Sequence, residues 1–211
     1  MIQALQQPVT FDEFIAWYPE NSDTRYELRN GVIGEMPKPR GKHSDVGGFL
    51  VIEAGIAIRQ SQLPYFIPKE CVIRSEDAES GYEPDVIVLN RQTIDADPRW
   101  AKESVITKGQ SAVLEIEVVS TNWRDDYHKK FADYEALGIA EYWIVDYLGL
   151  GGRQFIGSPK QPTLSVYELV EGEYEGQQFR GSDRIVSPAF PNLTLTAEQV
   201  FTAGRMTCGR Y

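Results

Sequence analysis

The chain has 211 residues, 42% of them hydrophobic and 25% charged, which is long enough for one domain to bury a core without disulfide or metal staples. Its 31 acidic against 21 basic residues give a net charge of −10. That charge opposes non-specific nucleic-acid binding, whose affinity comes from Lys and Arg displacing counterions, so any polyanion site has to be local and assisted by metal ions or a partner. No apolar run approaches the roughly 20 residues of a membrane span. The opening MIQALQQPV lacks the basic start and apolar segment of a secretory signal, and a cytoplasmic protein is expected. Cys71 and Cys208 are far apart, read as free thiols, and with His43 and His128 make no zinc-ligand pattern.

In chain order, Thr10 with Glu13 three residues on is a capping box that opens a short helix at Phe11. Tyr26 to Met36 alternates around Asn30-Gly31, the sequence signature of a tight hairpin. After the basic loop KPRGKH, apolar residues from Val46 to Ile58 recur near helical spacing, with Ser44 as the expected cap. The next segments read as strands: YFIPKECVIRS, PDVIVLN, SAVLEIEVVS and EYWIVDYL. WRDDYHKKFADYEALG, between the last two, is a helix closed by Gly138, so a crossover and at least one parallel pairing are expected. Beyond Gly151, TLSVYELVEGEYEGQQFRGSDRIV reads as antiparallel strands and LTAEQVF as a closing helix. The expected architecture is α/β: one domain over 1–211 with a mixed, curved β-sheet flanked by helices and a β-hairpin at each end.

Three acids do not belong in such a core. Asp85 stands where a Gly-Tyr-Glu-Pro loop enters the apolar strand Val86-Ile87-Val88-Leu89. In SAVLEIEVVS, strand alternation puts Glu115 and Glu117 on one face and Leu114, Ile116 and Val118 on the other. Unpaired carboxylates are costly to bury, so the pair has to meet water, a base or a metal ion; for Glu115 a solvated strand face serves equally well. On the following helix Asp126 and Lys130 are four residues apart, as are Lys129 and Asp133, which reads either as surface ion pairs or as a lysine leaning over the end of the Glu117 strand. A strand-entry Asp, a second acid on a neighbouring strand and a nearby Lys suit metal-dependent phosphodiester cleavage. Mg²⁺ takes one or two carboxylates together with water and phosphate oxygens.

The segments RYELRNGVI, His43, PDVIVLN, LEIEVVSTNWRDDYHKKFADYEALGIAEYWIVD, and SVYELVEGEY to LTLTAEQVF resemble the Uma-two-type family of putative restriction endonucleases. That family sits within the PD-(D/E)xK nuclease superfamily, and the resemblance runs from about Pro8 to Phe201, leaving 202–211 as a tail. It implies a restriction-endonuclease-like core, Pro84-Asp85 as the PD element, and Glu117 as the acid of the next strand. Asp85 and Glu117 would then hold Mg²⁺ or Mn²⁺, and Glu27 would correspond to a glutamate near the site. Val119 occupies the position of the superfamily lysine, so the catalytic lysine has moved to the helix: Lys130 by family match, with Lys129 as its neighbour.

His43 either contacts phosphate or caps structure, Tyr26 packs or joins the site, and Trp143 belongs to the core. The implied function is hydrolysis of nucleic acid, DNA in the first instance. The alternative is a non-catalytic nucleic-acid-binding or regulatory protein that keeps the nuclease fold, and no basic patch longer than KPRGK is visible in the sequence. A glycosidase use of paired carboxylates is disfavoured by the adjacent lysine. A homodimer is expected, since cleaving a duplex calls for two sites or two binding events and the Ser165–Leu169 segment reads as an exposed strand.

Overall fold

The computed structural model describes residues 8–19, 24–76 and 79–203. The expectations for the first seven residues, for Cys208 and for the tail beyond residue 203 fall outside them. Helix α1 (Phe11–Trp17) begins at the Thr10–Glu13 capping box. Strands β1 (Tyr26–Arg29) and β2 (Val32–Glu35) form the Asn-Gly hairpin, and both turn residues have positive φ as such a turn requires. Helix α2 (Gly41–Gln60) begins three residues before Ser44 with Arg40 at its N-cap, so Ser44 lies inside the helix and does not cap it.

The α/β class stands, but the strands divide between two mixed sheets where the sequence suggested one. The segment YFIPKECVIRS is the point of division. It gives β3 (Tyr65–Phe66) to one sheet and β4 (Val72–Arg74) to the other, because Pro68 between them has no N–H for a continuous ladder. The five-stranded sheet has the order β2-β1-β5-β4-β7, with β5 (Gly81–Tyr82) and, after the one-turn helix α3 (Trp100–Glu103), β7 (Val105–Ile106). The six-stranded sheet has the order β11-β10-β9-β8-β6-β3. Its members are β6 (Val86–Asn90), β8 (Ala112–Val118), β9 (Glu141–Asp146), β10 (Thr163–Val170) and β11 (Glu173–Phe179). The expected parallel pair is β8 with β9, and β6 runs antiparallel to β8. Ser165–Leu169, read as an exposed strand, lies inside β10 and is paired on both sides, so it offers no free edge for a second copy.

One face of the six-stranded sheet, with Leu114, Ile116, Val118, Trp143 and Val145, packs under α2 and under the chain leading into α6 (Ala197–Thr202). The opposite face, with Ile87, Leu89, Tyr142 and Ile144, meets the five-stranded sheet through Ile73, Tyr82 and Ile106. Tyr127 and Tyr134 from the crossover helix fill the same seam. That helix runs from Trp123 as a π-helical turn, Asp125–Lys130, directly into α4 (Phe131–Leu137) and ends at Gly138 in the left-handed conformation.

The start of β8 is braced against this helix end by Gly109, where an added Cβ would land on the Leu137 and Gly138 backbone. Gly109→Ala is therefore expected to destabilise the fold by about 2–3 kcal/mol, read as a lower urea midpoint with an unchanged denaturant slope.

Candidate active site

The β8 pleat sends Glu115 and Glu117 into the seam between the sheets, while Leu114, Ile116 and Val118 point into the α2 core. Val86 pairs with Ile116 in the antiparallel register, so Asp85, one residue earlier, stands across from Glu117. The Val118 N–H donates to Asp85 Oδ2 at 2.8 Å. His43, the third residue of α2, has Nε2 at 2.8 Å from Val118 O and 3.3 Å from Asp85 Oδ2. The Val118 carbonyl can only accept, so Nε2 carries the proton. Burial works to raise the Asp85 pKa, but the His43 contact and the Val118 N–H hold it below the ordinary carboxylate value. Burial works the other way on His43, and Asp85 outweighs it to raise the imidazole pKa.

Lys130 enters the seam from the π turn. Its Nζ lies 2.7 Å from Glu117 Oε1 and 3.0 Å from Glu27 Oε1, and its side chain is only 4% exposed. Tyr134 Oη donates to the same Glu117 oxygen at 3.2 Å. Glu27 Oε2 accepts from Arg29 at 2.7 Å, and Arg29 reaches on to Asp125 at 2.6 Å. Lys129 turns away to Asp133 at 3.2 Å, the i,i+4 pair that the sequence suggested.

The Asp126–Lys130 surface pair does not form as expected. Both residues are buried, and Lys130 takes Glu117 and Glu27 as its ion-pair partners. The cause is the π turn, whose i→i+5 bonding takes residues four apart out of alignment. Burial and then the nearby Glu117 push the Asp126 pKa well above its ordinary value. Burial alone would lower the Lys130 pKa, but Glu117 and Glu27 raise it, so the lysine stays charged. Burial raises Glu117 to about 7, against the pull of Lys130 and with Asp85 and Glu27 adding to the rise.

The donor set suits a hard divalent cation. The hydrogen bonds of Asp85 converge on Oδ2 and those of Glu117 on Oε1, so each carboxylate keeps a second oxygen. Among the described residues no group of three or more His, Cys, Asp or Glu is arranged around one metal position. Two carboxylates are nonetheless the share of the coordination shell that Mg²⁺ takes from protein when water and phosphate supply the rest. Beside Asp85 opens a cleft of about 900 Å³, walled by Tyr18, Arg25, Val51, Lys69 and Glu83.

Sequence reasoning missed Arg25. Its guanidinium holds the two residues before Asp85, donating to Glu83 Oε2 at 2.5 Å, Glu83 O at 2.8 Å and Pro84 O at 3.3 Å. Nothing local marks it, because Arg25 and Glu83 are 58 positions apart in loops. Tyr26 packs edge-on against Trp17 and Tyr18, and Trp143 is core, as expected.

Over residues 11–198 the sequence matches the Uma2 family, described as "Putative restriction endonuclease". The chain belongs to this family. No curated protein matches it. Among solved structures it is similar to "a putative nuclease belonging to DUF820" from Anabaena variabilis, at 21% identity and a TM-score of 0.68. That match covers 93% of this chain and 99% of the other, and it makes the Uma2 chain alike in fold.

Glu115 departs from expectation most sharply. No strand face is solvated here: its side chain is completely buried, and neither carboxylate oxygen has a hydrogen-bond partner. Burial first, and the neighbouring Glu117 second, push its pKa well above 4.5. A carboxyl that stays protonated in the fold but ionises in the unfolded chain contributes stability in full below the unfolded pKa. That contribution is lost as pH rises beyond it. Glu115→Gln, which ionises in neither state, is therefore expected to gain stability relative to the parent Uma2 chain as pH rises from 4 to 8. Urea unfolding across pH 4 to 8 checks this, with the advantage shrinking toward pH 4.

Proposed function

We propose that the chain is a metal-dependent endonuclease that hydrolyses phosphodiester bonds of nucleic acid, DNA first, as one cytoplasmic domain over residues 1–211. The observation that carries this reading is Lys130 Nζ at 2.7 Å from Glu117 Oε1, with Asp85 across the strand pair. A lysine 13 residues downstream thus meets the strand acid that Val119 leaves without one at the superfamily position. Family membership over residues 11–198 supports the same reaction class.

Asp85 and Glu117 are the residues that would hold Mg²⁺ or Mn²⁺. A divalent cation there supplies Lewis-acid stabilisation of charge developing on the phosphate and makes water more acidic. The chain's own groups do the positioning. Val118 N–H and His43 orient Asp85, Arg25 fixes the Glu83-Pro84 approach, and Lys130 with Tyr134 orients Glu117. The Lys130 charge is a compact electrostatic stabiliser beside the scissile phosphate. Burial and their mutual repulsion keep the Glu115 and Asp126 carboxyls toward the neutral form, so Asp85 and Glu117 are the acids left to face a divalent cation.

One observation favours a second reading, a nucleic-acid-binding protein that keeps the fold without turnover: Lys130 is buried and already engaged by two acids. Assays on plasmid, linear and single-stranded DNA and on RNA, with Mg²⁺ or Mn²⁺, separate the two. The endonuclease reading expects metal-dependent cleavage, lost in Asp85→Asn and Glu117→Gln and only reduced in Glu115→Gln. Asp85→Asn should also weaken Mn²⁺ binding in titration calorimetry while the fold persists. Lys130→Met should lower turnover by about 10²–10³, measured beside its urea midpoint because the change leaves two buried acids without their cation. If the parent binds DNA but cuts no substrate with either metal, the second reading holds. Cleavage by Lys130→Met at the parental rate would remove that lysine from the mechanism.

We also propose that the endonuclease acts as a homodimer, the usual way to bring two sites to the two strands of a duplex. Light scattering is expected to give twice the 23.9 kDa chain mass at micromolar concentration, and a monomer mass throughout would refute the dimer.

A further inference from the structure

The parallel strands β8 and β9 release two segments from their carboxyl ends, on the edge of the sheet where Glu117 stands. Ligands of sheets with parallel strands gather at such edges. In a chain of net charge −10, residues 118–124 and 147–163 contain Arg124, Arg153 and Lys160 and not a single carboxylate. The acids nearest them are already engaged. Asp125 is paired with Arg29, Asp126 is buried, and Asp146 accepts from the Leu150 and Gly151 N–H groups.

Aromatic rings are set among these cations. The Arg124 guanidinium lies 4.5 Å from the centre of the half-buried Trp123 ring, and Lys160 Nζ lies 5.9 Å from it. Phe155, on α5 (Arg153–Ile156), stands 6.3 Å from Trp123 and 5.1 Å from the exposed His128 ring, and stacks on Tyr127 at 4.5 Å. The loop is shaped for this contact: a Cβ on Gly152 would come within 3.0 Å of the Trp123 indole, and one on Gly151 within 3.1 Å of Tyr127. Three residues beyond Tyr127 on the same helix is Lys130. The Tyr127 ring on which Phe155 stacks thus shares a helical turn with the buried lysine.

We infer that Trp123 and Phe155, with Arg124, Lys160 and His128 around them, form a ledge that stacks an unpaired base and binds the flanking phosphates of the nucleic-acid strand leaving the catalytic seam. Aromatic faces interleaved with cations are the usual surface for single strands, because every base has a π-face and every nucleotide a phosphate. A duplex keeps its bases stacked internally and offers the ledge only phosphates. The inference rests on the nucleic-acid reading above and adds to it a preference for substrate that is unpaired beside the cut.

The test is fluorescence anisotropy of the full chain in EDTA with a labelled single-stranded oligonucleotide and the corresponding duplex, over a series of salt concentrations. Arg124→Ala with Lys160→Ala is expected to weaken single-strand binding about tenfold and to flatten the plot of log affinity against log salt by ~1.4, two phosphate contacts at ~0.7 each. Trp123→Leu is expected to weaken the single strand roughly tenfold while sparing the duplex, and Trp123→Phe to restore binding by keeping an aromatic face. Unchanged affinity and slope in the double variant would overturn the ledge, as would equal losses on single strand and duplex in Trp123→Leu. A parent chain that binds neither nucleic acid would instead remove the nuclease reading on which the ledge depends.

Discussion

One ammonium group sits at the seam of this fold. Lys130 reaches Glu27 in the five-stranded sheet and Glu117 in the six-stranded sheet from a helix that belongs to neither. Through Glu27 the contact extends to Arg29 and Asp125, so charges alternate in sign from one sheet, through the helix, to the other. Buried ion pairs of this kind give little net stability over an apolar replacement, but losing one partner typically costs about 3–5 kcal/mol because the survivor stays desolvated. The sheets are thereby locked in one relative position. Glu115 and Asp126 feel that ammonium without pairing with it, and burial outweighs its pull to raise their pKa values.

That lock also presents the edge that carries the candidate site. The β6–β8 register sets Asp85 across from Glu117, but Asp85 belongs to the loop side of the junction and depends on contacts from three other places. These are the Val118 backbone, His43 at the head of α2, and Arg25 gripping the preceding dipeptide. The seam thus combines a rigid acid, Glu117, fixed by Lys130 and Tyr134, with a more accessible one whose side chain is 14% exposed beside an open cleft. Such asymmetry suits a site that takes its ligand from one side.

Local patterns made much of this legible. The Thr10–Glu13 box, the Asn30-Gly31 hairpin, the Gly138 stop and the alternation through Glu115 and Glu117 each depend on residues within a few positions of one another, and each stands in the structure. The readings that failed concern what distant segments do to one another. Nothing near Glu115 announces that a second sheet covers its face, and nothing in YFIPKECVIRS except Pro68 hints that its halves join different sheets. The cationic ledge was invisible for the same reason: its residues come from two stretches, and no basic run longer than KPRGK occurs in either. Helical spacing set Lys130 near the end of the Glu117 strand and the resemblance set Glu27 near the site, but that one ammonium joins the two, 103 positions apart, required the fold.

The wide turn at Asp125–Lys130 has a consequence for which changes of chain length the protein can accept. An α-helix advances about 100° per residue, so one residue accommodated by a π turn resets the angular phase between the helix before it and the helix after it. Trp123 ahead of the turn and Tyr127 within it face the loop beyond β9; downstream, Tyr134 faces Tyr82 and Tyr142, with Lys130 between the two sets. A single-residue deletion that healed the helix would rotate one set against the other, and the aromatic ledge and the buried lysine would not both keep their neighbours. The number of residues between Trp123 and Tyr134 is therefore a constraint in its own right, separate from the identities of the side chains that fill the stretch.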